Sequence, residues 1–386
     1  MKSDRIRVLN CVHRSDFGGA HRRIVWVNDL LKIKNVNTIV LFPSDKHVVF
    51  EKFLTHNKVQ YERTFLPAIR KSFIHLLLFI LMLPISVILV VIIIHKNEIQ
   101  IVHANGATNL QPVLAALLMQ KGLVWHWNDT LTPKWFVKVI CKLLVIKSVI
   151  FTAATPGILS YYGIENIPCE IIPAPSPECG SIDASVSKML RDKLNLKPKE
   201  KIIGFVSHII AAKGVQEFVQ AAIIVLQQDP ALHAVLVGGT FPRHKPFAEA
   251  IRSLVKENLL QCRIHFLGHQ DNVVDFMHAF DVFVFPSHSE ACPITILQAM
   301  QAGKPILATR VGDIPNMLTG TGLSLVEPMD TNALVRGIQE LLSLTDETKA
   351  KSAIKMRSTL HKHYSLRRVV DLHYKVYSHI VMYGCD

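Results

Sequence analysis

Runs of apolar residues alternate with amphipathic stretches along the chain. Apolar runs at Ile6–Val12, 202–206 and Val282–Phe285 predict buried strands. Stretches with apolar residues three and four positions apart, at 20–32 and 366–383, predict helices. This alternation predicts an α/β protein whose parallel sheets are connected by crossover helices.

The same pattern divides the chain into two halves. Further strands are predicted at 38–42, 101–103, 123–126, 148–153 and 170–173, and then at 234–237, 263–267 and 306–308. Between the halves, residues 174–200 change to proline, serine and glycine and then to lysine, which predicts a linker and a connecting helix. A chain of 386 residues is too long for one average core, so two domains are expected.

Composition narrows the class of protein. The 49% apolar and 19% charged residues indicate a globular chain, and the net charge of +13 favours an anionic partner. No arginine-rich tract or zinc-finger spacing is present, so nucleic acid is not expected. Seven scattered cysteines without a Cys-x-x-Cys pair indicate reduced thiols and no zinc site, and we expect no metal and no cofactor. The charged N-terminus passes directly into a strand, so no cleavable signal peptide is predicted.

Residues 73–94 carry no formal charge and are long enough to cross a bilayer. A crossing would separate strands that belong to one sheet, so we interpret the segment as two short apolar halves bent at Pro84. These halves would lie partly against the sheet and partly in the interfacial layer of an anionic membrane, flanked by basic residues. A fully buried core hairpin and a single membrane span are the alternatives.

The segment 281–309 has the clearest chemical pattern. Its apolar strand ends at Pro286, a polar turn contains Glu290, and a helix is predicted from about Pro293. The free N–H groups of Ile294 and Thr295 would form an anion site at the helix start, and Gln298 would lie one turn further. An ordinary strand–turn–helix is the alternative interpretation.

Three strand ends of the first half carry polar residues. Gly18 and Gly19 follow the first strand and allow close approach of a phosphate to the backbone. His103 and Asn105 end the strand at 101–103, and His126 and Asp129 follow the next strand. The carboxyl edge of such a sheet is where ligands bind, although a lone residue at this position more often has a structural role.

In the second half, Ser207 and His208 follow the strand at 202–206, and Lys213 and Gly214 precede an amphipathic helix. Lys213 could neutralise a phosphate, with His208 assisting when it is protonated. A plain surface lysine is the alternative.

Together, these segments resemble the family 4 retaining glycosyltransferases, which have the GT-B fold of two Rossmann-like domains with an interdomain cleft. In that family two acidic residues eight positions apart bind the sugar and ribose of a nucleotide-sugar; here they correspond to Glu290 and Gln298. The resemblance implies that Lys213, His208, Ile294 and Thr295 hold the donor diphosphate. Glutamine at 298, and Ser207-His208 in place of Gly-Arg, depart from the family pattern.

In the first half, the resemblance implies that Gly18 and Gly19 cover the donor diphosphate and that His126 borders the reacting sugar. His103, Asn105 and Asp129 would line the acceptor side. The resemblance also implies that the terminal helix crosses back to the first domain. The expected domains are therefore 1–175 with 366–386, which binds the acceptor, and 176–365, which binds the nucleotide-sugar.

The function implied is metal-independent, retaining transfer of a sugar from a nucleotide-diphospho-sugar to a saccharide or lipid-linked acceptor. His126, Glu290 and Lys213 are the expected catalytic residues. The expected location is cytoplasmic, peripheral on the inner face of the membrane, in polysaccharide or lipopolysaccharide biosynthesis. A non-catalytic relative that binds a saccharide or a protein partner is the alternative, and the sequence leaves the oligomeric state open.

Overall fold

A computed structural model describes residues 5–13, 18–44, 49–69, 73–130, 132–144, 149–176, 184–270 and 272–383. The chain forms two compact units. Unit 1 comprises Met1–Pro175 and Leu366–Asp386, and unit 2 comprises Ser176–Ser365. Each unit is described by itself below.

Unit 1 is built on a parallel sheet. Its strands among the described residues are β1 (Ile6–Val12), β2 (Val36–Pro43), β3 (Tyr61–Thr64), β4 (Ile101–Asn105), β5 (Gly122–Trp127), β6 (Val149–Ala153) and β7 (Cys169–Ile171). They lie in the order β3-β2-β1-β4-β5-β6-β7. The connecting helices are α1 (Gly19–Ile33), α2 (Val49–His56), α3 (Phe73–Lys96), α4 (Leu110–Leu118), α5 (Lys134–Leu144) and α6 (Pro156–Tyr162).

Unit 2 repeats this design on a smaller sheet. Its described strands are β8 (Lys201–Val206), β9 (Leu232–Val237), β10 (Ile264–Gly268), β11 (Val282–Phe285), β12 (Ile306–Thr309) and β13 (Leu325–Val326), in the order β10-β9-β8-β11-β12-β13. Its helices are α7 (Ala184–Lys193), α8 (Val215–Gln228), α9 (Lys245–Glu257), α10 (Val273–His278), α11 (Ile294–Ala302), α12 (Ile314–Met317), α13 (Thr331–Ser343) and α14 (Asp346–Thr359).

The terminal helix α15 (Leu366–Tyr383) packs in unit 1, against α1 and the sheet. Its residues Val369, Val376 and Ile380 share a buried core with Val8 of β1. Gly122 at the start of β5 allows this packing, because a Cβ atom there would lie 2.3 Å from the Ile380 side chain. The end of the chain thereby completes the core of unit 1.

The apolar segment at 73–94 forms one continuous helix, α3, so the interpretation as two halves bent at Pro84 is wrong. Pro84 removes one N–H from the helix, and the helical path continues on both sides of it. This helix is long and apolar enough to cross a membrane by length and composition, with a mean hydropathy of 3.4, and 33% of that window is buried. A fully buried core hairpin is therefore excluded.

The burial of α3 is uneven along its length. Val87, Val90 and Ile94 in its second half are buried, whereas Phe73–Leu78 are exposed on every side. The strands that flank α3 both belong to the first sheet, because β3 pairs with β2 and β4 pairs with β1. A bilayer crossing by α3 would break that sheet.

Candidate functional site

The second sheet reverses its strand order between β8 and β11, which are neighbours. The chain leaves β8 towards β9 and later returns to β11 on the opposite side. Loops after two such strands diverge and leave a crevice at the carboxyl edge, where open α/β sheets bind ligands. Lys213 lies in the loop after β8, and Glu290 lies in the loop after β11.

Backbone contacts hold these two loops together. The carbonyl oxygen of Ala212 accepts hydrogen bonds from the N–H of His288 (3.0 Å) and the Oγ of Ser287 (3.2 Å). Gly214 adopts a left-handed conformation, with φ of 67°, and a Cβ atom there would lie 1.9 Å from the carbonyl oxygen of Pro286. Only glycine fits this position, so the loops meet at a fixed distance.

Lys213 and Glu290 form an ion pair at this junction, with Nζ 2.6 Å from Oε1. Their side chains are 25% and 11% exposed, so the pair is largely shielded from solvent. A short charge-assisted hydrogen bond of this kind fixes both side chains. The cation and the carboxylate that were predicted to bind the nucleotide-sugar donor are therefore in contact with each other.

The turn that carries Glu290 is braced from a third loop, the one after β12. Gly312 has φ of 55°, and a Cβ atom there would lie 2.4 Å from the carbonyl oxygen of Glu290. The N–H of Asp313 donates to the carbonyl oxygen of Ala291 at 2.8 Å, and Thr309 Oγ1 donates to the carbonyl oxygen of Ser287 at 2.6 Å. Contacts among the loops that follow β8, β11 and β12 thus fix the position of Glu290.

Helix α11 begins at Ile294, directly after this turn, with Pro293 as the preceding residue. Among the described residues, the N–H groups of Ile294 and Thr295 have no backbone acceptor, as expected for the first turn of a helix. Gln298 lies one turn further and is half-buried. Two amide donors and the positive end of the helix dipole therefore follow Glu290 by four and five residues.

His208 lies at the same edge, after β8. Its imidazole packs against the ring of Phe241 from the loop after β9, with ring centres 4.5 Å apart. Arg243 follows in the same loop, and its guanidinium carbon lies 5.8 Å from the centre of the Phe241 ring. Phe241 and Arg243 were not predicted from the sequence; an aromatic residue and a cation two and four positions after Gly239 were the available signal.

The first sheet has its own reversal point between β1 and β4. Gly18 and Gly19 lie after β1, where Gly19 begins α1; residues 14–17 of this loop are outside the described residues. After β4, the left-handed Gly106 (φ of 87°) allows the ring of His13 to approach, because a Cβ atom there would lie 2.8 Å from it. Asp129 is half-buried, and its carbonyl oxygen accepts a hydrogen bond from Tyr162.

His103, Asn105 and His126 lie below this edge in a buried polar network, with exposed fractions of 0%, 2% and 0%. Arg23 of α1 donates both to His126 Nε2 and to Asn105 Oδ1. On the other side of the network, His103 Nδ1 lies 2.7 Å from the hydroxyl of Tyr377 in α15. These side chains connect α1, two central strands and the terminal helix.

Both ring nitrogens of His126 are engaged within the protein. A guanidinium can only donate, so Nε2 accepts from Arg23, and Nδ1–H donates to Thr152 Oγ1 at 2.8 Å. Burial, followed by the nearby charges of Arg23, His103 and His373, lowers the pKa of His126 well below its usual value. His126 is therefore held neutral, and its predicted place beside a reacting sugar has no support in this geometry.

His103 and Asn105 require a similar correction. They were predicted to line the acceptor side, but their side chains bind protein groups and do not reach the surface. Arg23, His373 and Tyr377, which complete this network, were not predicted from the sequence. Their spacing was the available signal, because Arg23 and His373 lie four residues from the core positions Val27 and Val369, and Tyr377 lies three residues from the core position Ile380.

No group of three His, Cys, Asp or Glu side chains that could hold a metal ion occurs among the described residues.

Comparison with known proteins shows what this chain is similar to. Residues 186–358 match the family model described as "Glycosyl transferases group 1". The chain is 33% identical over 146 residues to the lipopolysaccharide core biosynthesis mannosyltransferase LpsB of Rhizobium meliloti (strain 1021), covering 37% of this chain and 41% of that protein. It is 30% identical over 190 residues to N-acetyl-alpha-D-glucosaminyl L-malate synthase of Bacillus anthracis, covering 49% and 48%. The matches thus span less than half of the length of these curated relatives.

Solved structures match over nearly the whole chain. A glycosyltransferase from Rickettsia africae superposes with a TM-score of 0.80 at 19% identity, covering 98% of this chain and all of that one. The Anabaena protein HepE in complex with UDP superposes with a TM-score of 0.79 at 18% identity, covering 97% and 100%. The fold predicted from the sequence, two parallel α/β domains of the GT-B type, is confirmed.

Proposed function

We propose that the chain is a glycosyltransferase that transfers a sugar from a nucleotide-diphospho-sugar to a saccharide or lipid-linked acceptor. We further propose that transfer retains the anomeric configuration and needs no metal. The match of residues 186–358 to a glycosyltransferase family supports this activity, as does the resemblance of HepE, whose solved structures include UDP and UDP-glucose.

The ion pair between Lys213 and Glu290 at the reversal point of the second sheet carries this proposal. A diphosphate leaving group needs positive charge and N–H donors as the sugar–phosphate bond breaks. Lys213 supplies the charge, and the amides of Ile294 and Thr295 supply donors together with the helix dipole. Glu290, held by its turn, can accept hydrogen bonds from sugar hydroxyls and so orient the transferred sugar.

Gln298 would bind the ribose, one turn into α11. An amide both donates and accepts, so it can pair with two hydroxyls without the negative charge of a glutamate. His208 would assist at the diphosphate, because a nearby anion favours its protonated form. Gly18 and Gly19 at the start of α1 remain predicted donor contacts.

The acceptor is proposed to be presented at a membrane. The first two turns of α3 expose apolar side chains on every side, with Phe73 82% and Ile74 67% exposed, which is unfavourable in water. The net charge of +13 favours an anionic lipid surface. We therefore propose a peripheral location on the inner face of the membrane and a role in polysaccharide or lipopolysaccharide biosynthesis, in line with the LpsB relative.

The donor proposal is tested by titrating the full-length protein with UDP-, GDP-, ADP- and CMP-sugars and by assaying transfer to membrane extracts. We expect one nucleotide class to bind and Lys213→Met to weaken its binding about 10- to 100-fold, the range of a charged hydrogen bond. Lys245→Met, a matched change on the exposed start of α9, should leave binding unchanged. Failure of the wild-type protein to bind any of the nucleotides would contradict the proposal.

A second candidate function is non-catalytic binding of a saccharide or protein partner. The neutral Gln298, and His208 where the family pattern has arginine, favour this candidate. It predicts that no donor is consumed in the presence of membrane extracts, whether or not a nucleotide binds.

A further inference from the structure

A second exposed surface lies on α5, apart from α3. Trp135 is 67% exposed and Val139 is 49% exposed, whereas Val137 and Cys141 on the other side of the helix are buried. Spacing of four residues places Trp135 and Val139 on one stripe of α5. A single exposed apolar residue needs no explanation, but an exposed tryptophan with an aligned valine forms a surface.

Lysines border this stripe. Lys134, Lys138 and Lys142 recur every four residues on α5, and all three are exposed. The Nζ of Lys134 lies 4.3 Å from the centre of the Tyr161 ring, which is 41% exposed on α6. The sequence of α5 contains no acidic residue. Tryptophan and tyrosine next to lysines are the residue types that favour the boundary between lipid and water.

Topology places α5 on the same face of the first sheet as α3. The steps β3 to β4, β4 to β5 and β5 to β6 all run in one direction across the sheet, so right-handed crossovers place α3, α4 and α5 on one face. All three helices begin at the carboxyl edge, and Gln111 at the start of α4 donates to the carbonyl oxygen of Pro67, just after β3, at 2.7 Å. The exposed start of α3 and Trp135 therefore point to the same end of unit 1.

We propose that the outward stripe of α5 (Lys134, Trp135, Lys138, Val139 and Lys142) is a second lipid-binding surface that contacts an anionic membrane together with the start of α3. This inference rests on the membrane association proposed above. Trp135 lies at headgroup depth, and the lysines bind anionic lipid headgroups. Two contacts, separated by the width of α4, fix the rotation of unit 1 on the membrane and turn the carboxyl edge of its sheet towards the lipid.

Trp135 itself supplies the first test. Trp125 and Trp127 are buried and Trp26 is half-buried in the core, so a lipid-dependent change in tryptophan emission reports Trp135. Full-length protein is mixed with vesicles of phosphatidylcholine and phosphatidylglycerol, with and without brominated acyl chains. We expect a blue shift and bromine quenching in the wild-type protein, both absent in Trp135→Phe. Vesicle binding without quenching at Trp135 would overturn the proposal.

The lysines supply the second test. Lys134→Gln with Lys138→Gln should lower partitioning onto these vesicles about 30-fold at low salt, at about 1 kcal/mol per lysine. The matched control, Lys351→Gln with Lys355→Gln on α14 of unit 2, should not change it. Equal partitioning of the two double variants would overturn the proposal.

Other occupants of the surface give different results. A dimer that forms without lipid and that Trp135→Ala dissociates would assign the stripe to a second copy of the chain and overturn the lipid assignment. Absence of any vesicle binding by the wild-type protein would overturn both this inference and the proposed membrane association. Transfer from a nucleotide-sugar to membrane extracts, measured separately without vesicles, would show in that case that the transferase proposal stands.

Discussion

The contact between Lys213 and Glu290 predicts that one substitution at the site will raise the affinity for a nucleoside diphosphate. Both residues are proposed to act in sugar transfer, yet their carboxylate and ammonium groups already neutralise each other, at 2.6 Å. A nucleoside diphosphate that binds Lys213 must share the ammonium group with Glu290, and the carboxylate of Glu290 then repels the phosphate. Glu290→Gln should therefore strengthen the binding of a free nucleoside diphosphate while it reduces sugar transfer.

The magnitude follows from the geometry. A phosphate oxygen at hydrogen-bond distance from Nζ would lie about 4.5–5 Å from the carboxylate, since both oxygens are held by one ammonium group. At an effective dielectric constant of about 40–60, intermediate between a protein surface and water, one unit of charge repulsion at that distance costs about 1–2 kcal/mol. Removing the charge should tighten binding about 5- to 30-fold.

The assay is calorimetric titration of the wild-type protein and Glu290→Gln with the nucleoside diphosphate that the donor screen identifies. The corresponding nucleoside, without phosphate, is the control and should bind both proteins equally. Transfer by Glu290→Gln should fall at least about 100-fold, because the amide no longer accepts hydrogen bonds from sugar hydroxyls at both atoms. Weaker diphosphate binding by the variant would refute the electrostatic reasoning, and unchanged transfer would refute the role of Glu290.

Three further predictions concern stability, the membrane and pH. Gly214→Ala should destabilise unit 2 by about 3 kcal/mol or more in urea unfolding, because its Cβ would lie 1.9 Å from a carbonyl oxygen. Gly322→Ala, also left-handed but with no atom within 4 Å, should cost only about 1 kcal/mol. Leu77→Asp, at a site 49% exposed on α3, should lower vesicle binding at least about 10-fold in flotation, whereas Leu259→Asp in unit 2 should not. Burial, followed by the charge of Arg23, lowers the pKa of His373 to about 3, so protons bind preferentially to the unfolded chain below pH 6.5. Stability should therefore fall by about 2 kcal/mol between pH 7 and pH 5 from this residue alone, and His373→Phe should flatten that slope in urea unfolding followed by fluorescence.

Most of the sheet could be predicted from the sequence because central strands of a parallel sheet are buried on both faces. Ile6–Val12 and Val282–Phe285 are such apolar runs and were predicted with the observed bounds. The strands that were missed lie at the edges. Tyr61–Thr64 has a polar sequence and pairs only with β2, and Leu325–Val326 is two residues long and pairs only with β12. An edge strand has only one neighbouring strand and is less buried, so it does not need the apolar run by which a central strand is predicted.

The candidate site also has a part that could be predicted from the sequence and a part that could not. Glu290 and Lys213 could be placed at strand ends by local pattern, because each follows an apolar run and precedes a helix. Their contact could not be predicted, since they are 77 residues apart and meet only through the pairing of β8 with β11. His126 was placed correctly on its strand end, but its hydrogen bond with Arg23 of α1, which lies 103 residues away, could not be predicted.

The sequence by itself determined the central strands and most of the helices, where polar residues interrupt them, and that the chain folds as two α/β domains. These properties are local, because each depends on residues a few positions apart. Tertiary structure alone decided that α3 is one helix with an exposed start, that Lys213 pairs with Glu290, and that His126 is buried and neutral. Burial and ion pairing depend on which distant segments meet, and strand order and crossover direction decide that.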